Sequence, residues 1–284
     1  MEMDVIGSWG NDSAVTSLIE HFIPHNVMRA LLYNCLRVDI LDNNDKARIV
    51  AEILGPTFKE IGTGTNRIAL LHNGMIVKVA LDRRGLADNA TEFKRSAELE
   101  NFLAKTYETN YLINICEYVE LLEMNEFIIQ EDSIKRMLAE IAKNYIFEDI
   151  GFSEKNACNW GMRDAHLTEE EMELYGENAD FVKDVCILDY GYLYPLGDQK
   201  DKLMRCPKCK HKLSWNRNYT ALMCTNSGSC GFQTAPMNLR RMMRLDMEDL
   251  ENRLIGEFNN MKMPNLDNIE HEIQKIHKNI GGNE

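Results

Sequence analysis

The chain has no apolar run near the roughly eighteen residues that a membrane-spanning helix needs. Its first residues, MEMDVIGSWGNDS, are acidic and polar, which argues against a secretory leader. There is no internal repeat and no low-complexity segment. Basic residues are in deficit, 32 Lys and Arg against 45 Asp and Glu, for a net charge of −13. These absences predict a cytoplasmic protein with no membrane partner and no disulfides, so clustered cysteines are to be read as metal ligands. What remains is ordinary in composition. With 284 residues, 44% hydrophobic and 27% charged, the chain can bury one large core or two small ones.

Eight cysteines are spread unevenly. Cys35, Cys116, Cys158 and Cys186 stand alone in apolar contexts and read as buried small hydrophobes. The other four form two knuckles: Cys206-Pro-Lys-Cys209, then fourteen residues, then Cys224 and Cys230. Four soft ligands at this spacing predict a tetrahedral structural Zn²⁺ site, closed by cysteine and without an open catalytic position. TALMC and CGFQT around the second knuckle read as strands of a ribbon.

The charge is also uneven. Between Lys200 and Arg244 ten basic residues face one acidic residue, Asp201, giving +9 locally and leaving −22 for the rest. A basic module in an acidic protein predicts a nucleic acid or other anionic partner at 200–244, or a contact with the acidic remainder.

Five regions follow from the patterning: 1–56 helical, 57–130 β-rich, 131–198 mixed, 199–235 the cysteine module and 236–284 helical. The fold class is α+β. NRIALLHNGMIVKVAL reads as two strands about an Asn73-Gly74 turn, NATEFKRSAELENFLAKTYE as a helix, and ICEYVELLEMNEFIIQ as two further strands. Leu266, Ile269, Ile273, Ile276 and Ile280 repeat at helical spacing, so 239–280 predicts a packed helix or a helix that engages a protein partner.

Several residues in this framework carry chemistry. Gly62-Thr-Gly64 precedes a strand, and a glycine pair there lets backbone N–H groups approach a phosphate. Lys78 lies in the apolar strand MIVKVAL and needs a partner. On the following helix, with Glu92 set at 0°, Leu99 falls at about 340° and Leu103 at about 20°, so Glu92 faces inward. Glu100, at about 80°, is second choice, and Glu98, at about 240°, faces solvent. Asn159 in ACNWGM and Asp189 in ILDYG supply oxygen ligands suited to Mg²⁺.

In this order, the glycine pair, lysine, glutamate, asparagine and Asp189-Tyr190-Gly191 resemble the protein-kinase-like fold, over about half the chain, Thr57 to Leu196. The resemblance implies a small β-rich N-lobe and a reduced helical C-lobe, with the ribbon inserted where kinases have the activation segment, followed by a helical tail. It implies ATP and Mg²⁺ as cofactors. Gly62, Gly64, Lys78, Glu92, Asn159 and Asp189 would surround them, and backbone groups near Gln130 and Glu131 would meet the adenine. The pattern departs in two places. Arg67 replaces the third glycine, where a guanidinium could face the γ-phosphate, and the aspartate expected five residues before Asn159 is Glu154. Either Glu154 or Asp149 would serve as catalytic base. The cysteine module resembles the zinc ribbons of DNA topoisomerases and phage-type transcription activators, which implies nucleic acid as partner, with Trp215 and Tyr219 as stacking groups. Three readings stand: a slow divergent kinase, a pseudokinase scaffold, and a zinc-ribbon nucleic-acid-binding or transcription-associated protein.

Overall fold

Among the described residues three helices precede the first strand: α1 (Leu18–Phe22), α2 (His25–Leu36) and α3 (Asn43–Leu54). The computed structural model describes residues 17–36, 42–165, 169–176, 182–236 and 238. The helix expected at 239–280 lies outside them, as do Arg240, Arg241 and Arg244. Asp42 caps α3 through a 2.9 Å bond from the Asp45 N–H, and Gly55 ends it at φ 77°.

Next comes an antiparallel five-stranded sheet in the order β1-β2-β3-β5-β4. Its strands are β1 (Lys59–Thr63), β2 (Arg67–His72), β3 (Met75–Ala80), β4 (Thr106–Thr109) and β5 (Ile113–Glu117). Asn73 and Gly74 turn β2 into β3 with φ of 49° and 75°, both positive as a tight primed hairpin turn requires. Helix α4 (Arg83–Glu98) joins β3 to β4 and begins on Asp82, which accepts from the Gly85 N–H.

The chain continues as β6 (Glu120–Leu121), α5 (Met124–Ile129), α6 (Glu131–Ile141) and β7 (Tyr145–Phe147). A 3₁₀ helix, Glu154–Asn159, leads into β8 (Trp160–Asp164). Then follow α7 (Glu169–Tyr175), β9 (Lys183–Ile187), β10 (Leu193–Pro195) and α8 (Lys200–Leu203). Strand β8 pairs with both β6 and β9, and β10 pairs back onto β7. The cysteine module is a three-stranded antiparallel sheet of β11 (Leu213–Trp215), β12 (Leu222–Cys224) and β13 (Gln233–Thr234). The architecture is mixed α+β with four antiparallel sheets among the described residues.

Three large apolar clusters organise the described residues, beside a small fourth of Ala104, Val119 and Cys186. The first joins α1–α3 to the five-stranded sheet, with Ile23, Leu31 and Val50 against Ile68, Val77 and Val79. The amino-terminal helices therefore back that sheet and do not complete the helical part below it. The second gathers Phe127, Ile134, Leu138, Phe147, Trp160 and Ile187 beneath α5 and α6. The third lies under the cysteine module and includes Ile146 and Leu196 from outside it.

Two expected elements are corrected. MNEFII is a helix, not a strand: Glu126 reaches back to the Glu123 N–H at 2.9 Å, and only Phe127 is buried while Ile128 and Ile129 are exposed. The β-branched run misled because a strand reading assumes that it is buried. Helix α4 ends at Glu98, so Glu100 lies outside it and is exposed, and the TYE expected as helix opens β4. Of the four isolated cysteines, Cys35, Cys116 and Cys186 are buried, but Cys158 is exposed beside Asn159. Burial pushes the thiols of Cys35 and Cys186 up to about 12 and that of Cys116 to about 11, leaving them uncharged.

Candidate functional site

Cys206 and Cys209 lie on the loop after α8, which is folded back by Cys206 N–H donating to His211 O at 2.7 Å and Lys210 N–H to Cys206 O at 2.9 Å. Lys210 takes a φ of 63° to close that turn. Cys224 ends β12, and Cys230 follows a turn in which its N–H donates to Asn226 O at 2.9 Å. The four sulfurs all lie within 4.8 Å of one another. Sγ···Sγ is 3.6 Å for Cys206–Cys230 and 3.3 Å for Cys209–Cys224. These are too long for disulfides and close to the roughly 3.8 Å edge of a tetrahedron with zinc–sulfur bonds of about 2.3 Å. The four cysteines are positioned to bind a metal ion such as zinc. His211 is exposed and its Nδ1 lies 3.2 Å from the Cys209 carbonyl.

A second constellation lies between the five-stranded sheet and the β8–β9 hairpin. Helix α4 buries an unusually polar face: Asp88, Asn89, Glu92 and Arg95 are all under 9% exposed. Glu92, fully buried, receives Lys78 Nζ at 2.9 and 3.0 Å and Arg67 at 2.8 and 2.9 Å. Lys78 also donates to Leu188 O at 2.8 Å. Two cations on one carboxylate satisfy a charge that could not be buried alone. Arg67 goes on to Asp189 Oδ1 at 2.7 Å. Burial opposes the Arg67 charge, but Glu92, Asp189 and Asp88 raise its pKa well above the usual guanidinium value. Desolvation opposes ionisation of Asp189 too, yet Arg67, Lys78 and the Gly191 N–H hold its carboxyl below the ordinary range. Asp88 is the opposite case, since burial raises its pKa and one of its oxygens, Oδ1, finds no partner among the described residues.

The third group is strung along the β7–β8 loop. Asn159 Nδ2 donates to Asp149 O at 2.7 Å, and Leu188 N–H donates to Asn159 O at 2.9 Å. Two hydrogen bonds therefore tie Asp149, Asn159 and the residue before Asp189 into one edge. Asp149 is exposed with φ 64°. Glu154 is exposed at the start of the 3₁₀ helix, and it is Asp149 that Asn159 holds. Tyr190 is buried, with its hydroxyl donating to Ala104 O at 2.5 Å, and Gly191 lets the chain pass α4, where an added Cβ would lie 3.0 Å from Asp88 Cβ.

Gly62 and Gly64 lie at the end of the β1–β2 hairpin, and a Cβ added at Gly62 would meet nothing within 4 Å. The chain's own packing there does not explain the glycine. Five expected positions differ. Arg67 does not project outward from the hairpin; it is 8% exposed and held by Glu92 and Asp189. Gln130 and Glu131 are at the α5–α6 junction, where Gln130 N–H bonds Glu126 O and Gln130 O accepts from Ile134, so their backbone is committed to helix. Trp215 stacks on Phe147 at 4.3 Å with planes 9° apart, and Tyr219 packs against the second cluster, so neither ring is a free stacking platform. Sequence reasoning missed Asp88, one turn before Glu92 on the same face, which the spacing of the helix could have revealed. The basic character of the cysteine module is at its surface: Lys200, Lys202, Arg205, Lys208, Lys210, Lys212 and Arg217 are all exposed.

No protein family matches the chain, and no curated protein is similar to it.

Proposed function

We propose that the chain is a kinase-like Mg-ATP-binding protein, a slow phosphotransferase at most, stapled by a zinc ribbon. The observation that carries this reading is the convergence on Leu188-Asp189. Lys78, paired with Glu92, bonds the Leu188 carbonyl, and Asn159, which holds Asp149, bonds the Leu188 N–H. Residues from three separate stretches thus meet beside one carboxylate, below a glycine hairpin with open space at Gly62.

In this reading the two-lobed arrangement has its cleft between the five-stranded sheet and the β8–β9 hairpin. Backbone N–H groups at Gly62 and Gly64 and the Lys78 ammonium would hold phosphates. Asp189 Oδ2 and the Asn159 side-chain oxygen would hold Mg²⁺, which supplies charge neutralisation to the phosphate oxygens. The link Glu117–Val119 would line the adenine edge in place of Gln130 and Glu131, with Val119 packed beside Leu188. Asp149 is favoured over Glu154 as base because Asn159 fixes it at the cleft edge. Arg67 is the brake. Its hold on Asp189 Oδ1 must be shared with or yielded to a metal ion, and that slows any chemistry.

The test is titration calorimetry with Mg-ATP on the wild type, Lys78→Ala and Asp189→Ala, followed by single-turnover transfer from labelled ATP with Asp149→Asn. The reading expects at least tenfold weaker binding in both alanine variants, since each removes a charge-assisted contact. Equal affinity in all three refutes the nucleotide site. Binding without any transfer makes the protein a pseudokinase.

The seven exposed basic residues of the cysteine module favour a second reading, a nucleic-acid or other anionic partner on the ribbon. A fall in affinity for single-stranded DNA as salt rises, lost on reversing Lys208 and Lys210 to Glu, would support it.

A further inference from the structure

The loop between β7 and β8 is irregular over Glu148–Ser153, yet it carries Asp149 and leads to Asn159. Part of its order comes from the cysteine module. Phe152 N–H donates to Asn218 O at 2.7 Å. A Cβ on Gly151 would lie 2.4 Å from Tyr219 O, so the loop and the β11–β12 turn touch backbone to backbone. Trp215, at the end of β11, stacks flat on Phe147 at the end of β7. The turn is itself locked: Asn216 Oδ1 accepts the N–H groups of Thr220 at 2.8 Å and Ala221 at 3.3 Å, and its Nδ2 donates to Thr220 Oγ1 at 2.9 Å. The register Leu213↔Cys224 and Trp215↔Leu222 runs the strand that leaves this turn directly into a metal-binding sulfur.

We propose that the β11–β12 turn is the support on which the Asp149–Asn159 loop rests, so that metal loading of the four cysteines sets the order of that loop. Asn216 is the positioning residue: it touches neither Asp149 nor Asn159, but it shapes the turn that presents the Asn218 carbonyl to Phe152. Within the loop the order is passed on by Asn156 Nδ2 to Gly151 O at 2.8 Å and Asn159 Nδ2 to Asp149 O at 2.7 Å. The consequence for nucleotide affinity rests on the reading above; the coupling of the two loops does not.

Hydrogen exchange of the full chain tests the proposal, with zinc bound, after chelation, and after zinc is added back. Amides across 148–159 should exchange about tenfold faster in the chelated protein and recover on re-addition. Asn216→Ala should speed the same amides while retaining its zinc, and Asn216→Asp, which keeps the accepting oxygen, should restore wild-type exchange. Mg-ATP affinity should follow the same order. Unchanged exchange at 148–159, in the chelated protein and in Asn216→Ala, overturns the proposal. If exchange responds as expected but zinc-loaded protein binds no Mg-ATP, the coupling holds and the nucleotide reading falls. Should chelation unfold the whole chain, Asn216→Ala with its zinc in place still decides.

Discussion

Glu92 is the residue on which the polar interior balances. Its one carboxylate answers two cations, the part-buried Lys78 and the buried Arg67, and removing it leaves both without their principal anion. Glu92→Ala should cost about 3–5 kcal/mol in urea unfolding, the range for breaking a buried pair from one side. A loss below about 1 kcal/mol would mean that water or Asp189 takes over the charge. Asp88 makes a prediction of opposite kind. Its folded pKa is raised by burial, so its protonated form favours the fold. That stability is present below the unfolded carboxyl pKa and is lost as pH rises through the folded value. Thermal melts from about pH 4 upward should show this falling component, and Asp88→Asn, which cannot ionise, should remove it. An identical slope in the variant would place the titration elsewhere. Both residues bear on what the sequence could disclose. The helical wheel picked out Glu92 although it counted Leu99 and Leu103, which lie beyond the end of α4 at Glu98. The destination of Arg67 was not legible, because its partner Asp189 lies over a hundred positions away and only the folded chain brings them together.

Among the elements, α4 shows how close packing reverses a propensity. Alanine normally stabilises a helix interior by about 1 kcal/mol over glycine. At Gly85 a Cβ would lie 2.3 Å from the Asn66 carbonyl, a backbone atom with no flexible end to yield. Gly85→Ala should therefore lower the unfolding temperature, and denaturation with and without the change measures it; a gain would show that the β1–β2 loop can retreat. Local signals recovered most of the sheet. The Asn73-Gly74 turn and the apolar alternation around it specify β2 and β3 without outside help. The same signals failed at α5, where Ile128 and Ile129 are β-branched but exposed, and where a capping Glu126 outweighed strand preference. That error put Gln130 and Glu131 in a strand, when they lie at a helix junction. The cysteine knuckles needed no tertiary information, since ligand type and spacing alone specify a tetrahedral set.

For the molecule as a whole, the cysteine module is not an appendage. Cys206, Leu213, Leu222 and Cys224 share a cluster with Ile146 and Leu196, and Trp215 covers Phe147. Chelation or Cys209→Ser should therefore lower the melting of the entire chain as one transition, visible by scanning calorimetry, with close to one zinc released per chain. A separate low-temperature transition that leaves the main one unmoved would show the module to be independent. The α+β class and the cysteine site were readable from sequence; the shared core was not, because Phe147 and Trp215 carry no mark of each other. Their stacking also has a consequence in time. On the ribosome Phe147 is made about seventy residues before Trp215, roughly 4–14 s at ordinary synthesis rates. The pairing strand β10 is made during that interval, but the aromatic cover of Phe147 comes only at its end. The nascent chain thus passes through a stage in which Phe147 is uncovered, and that stage ends only when the four-cysteine segment emerges.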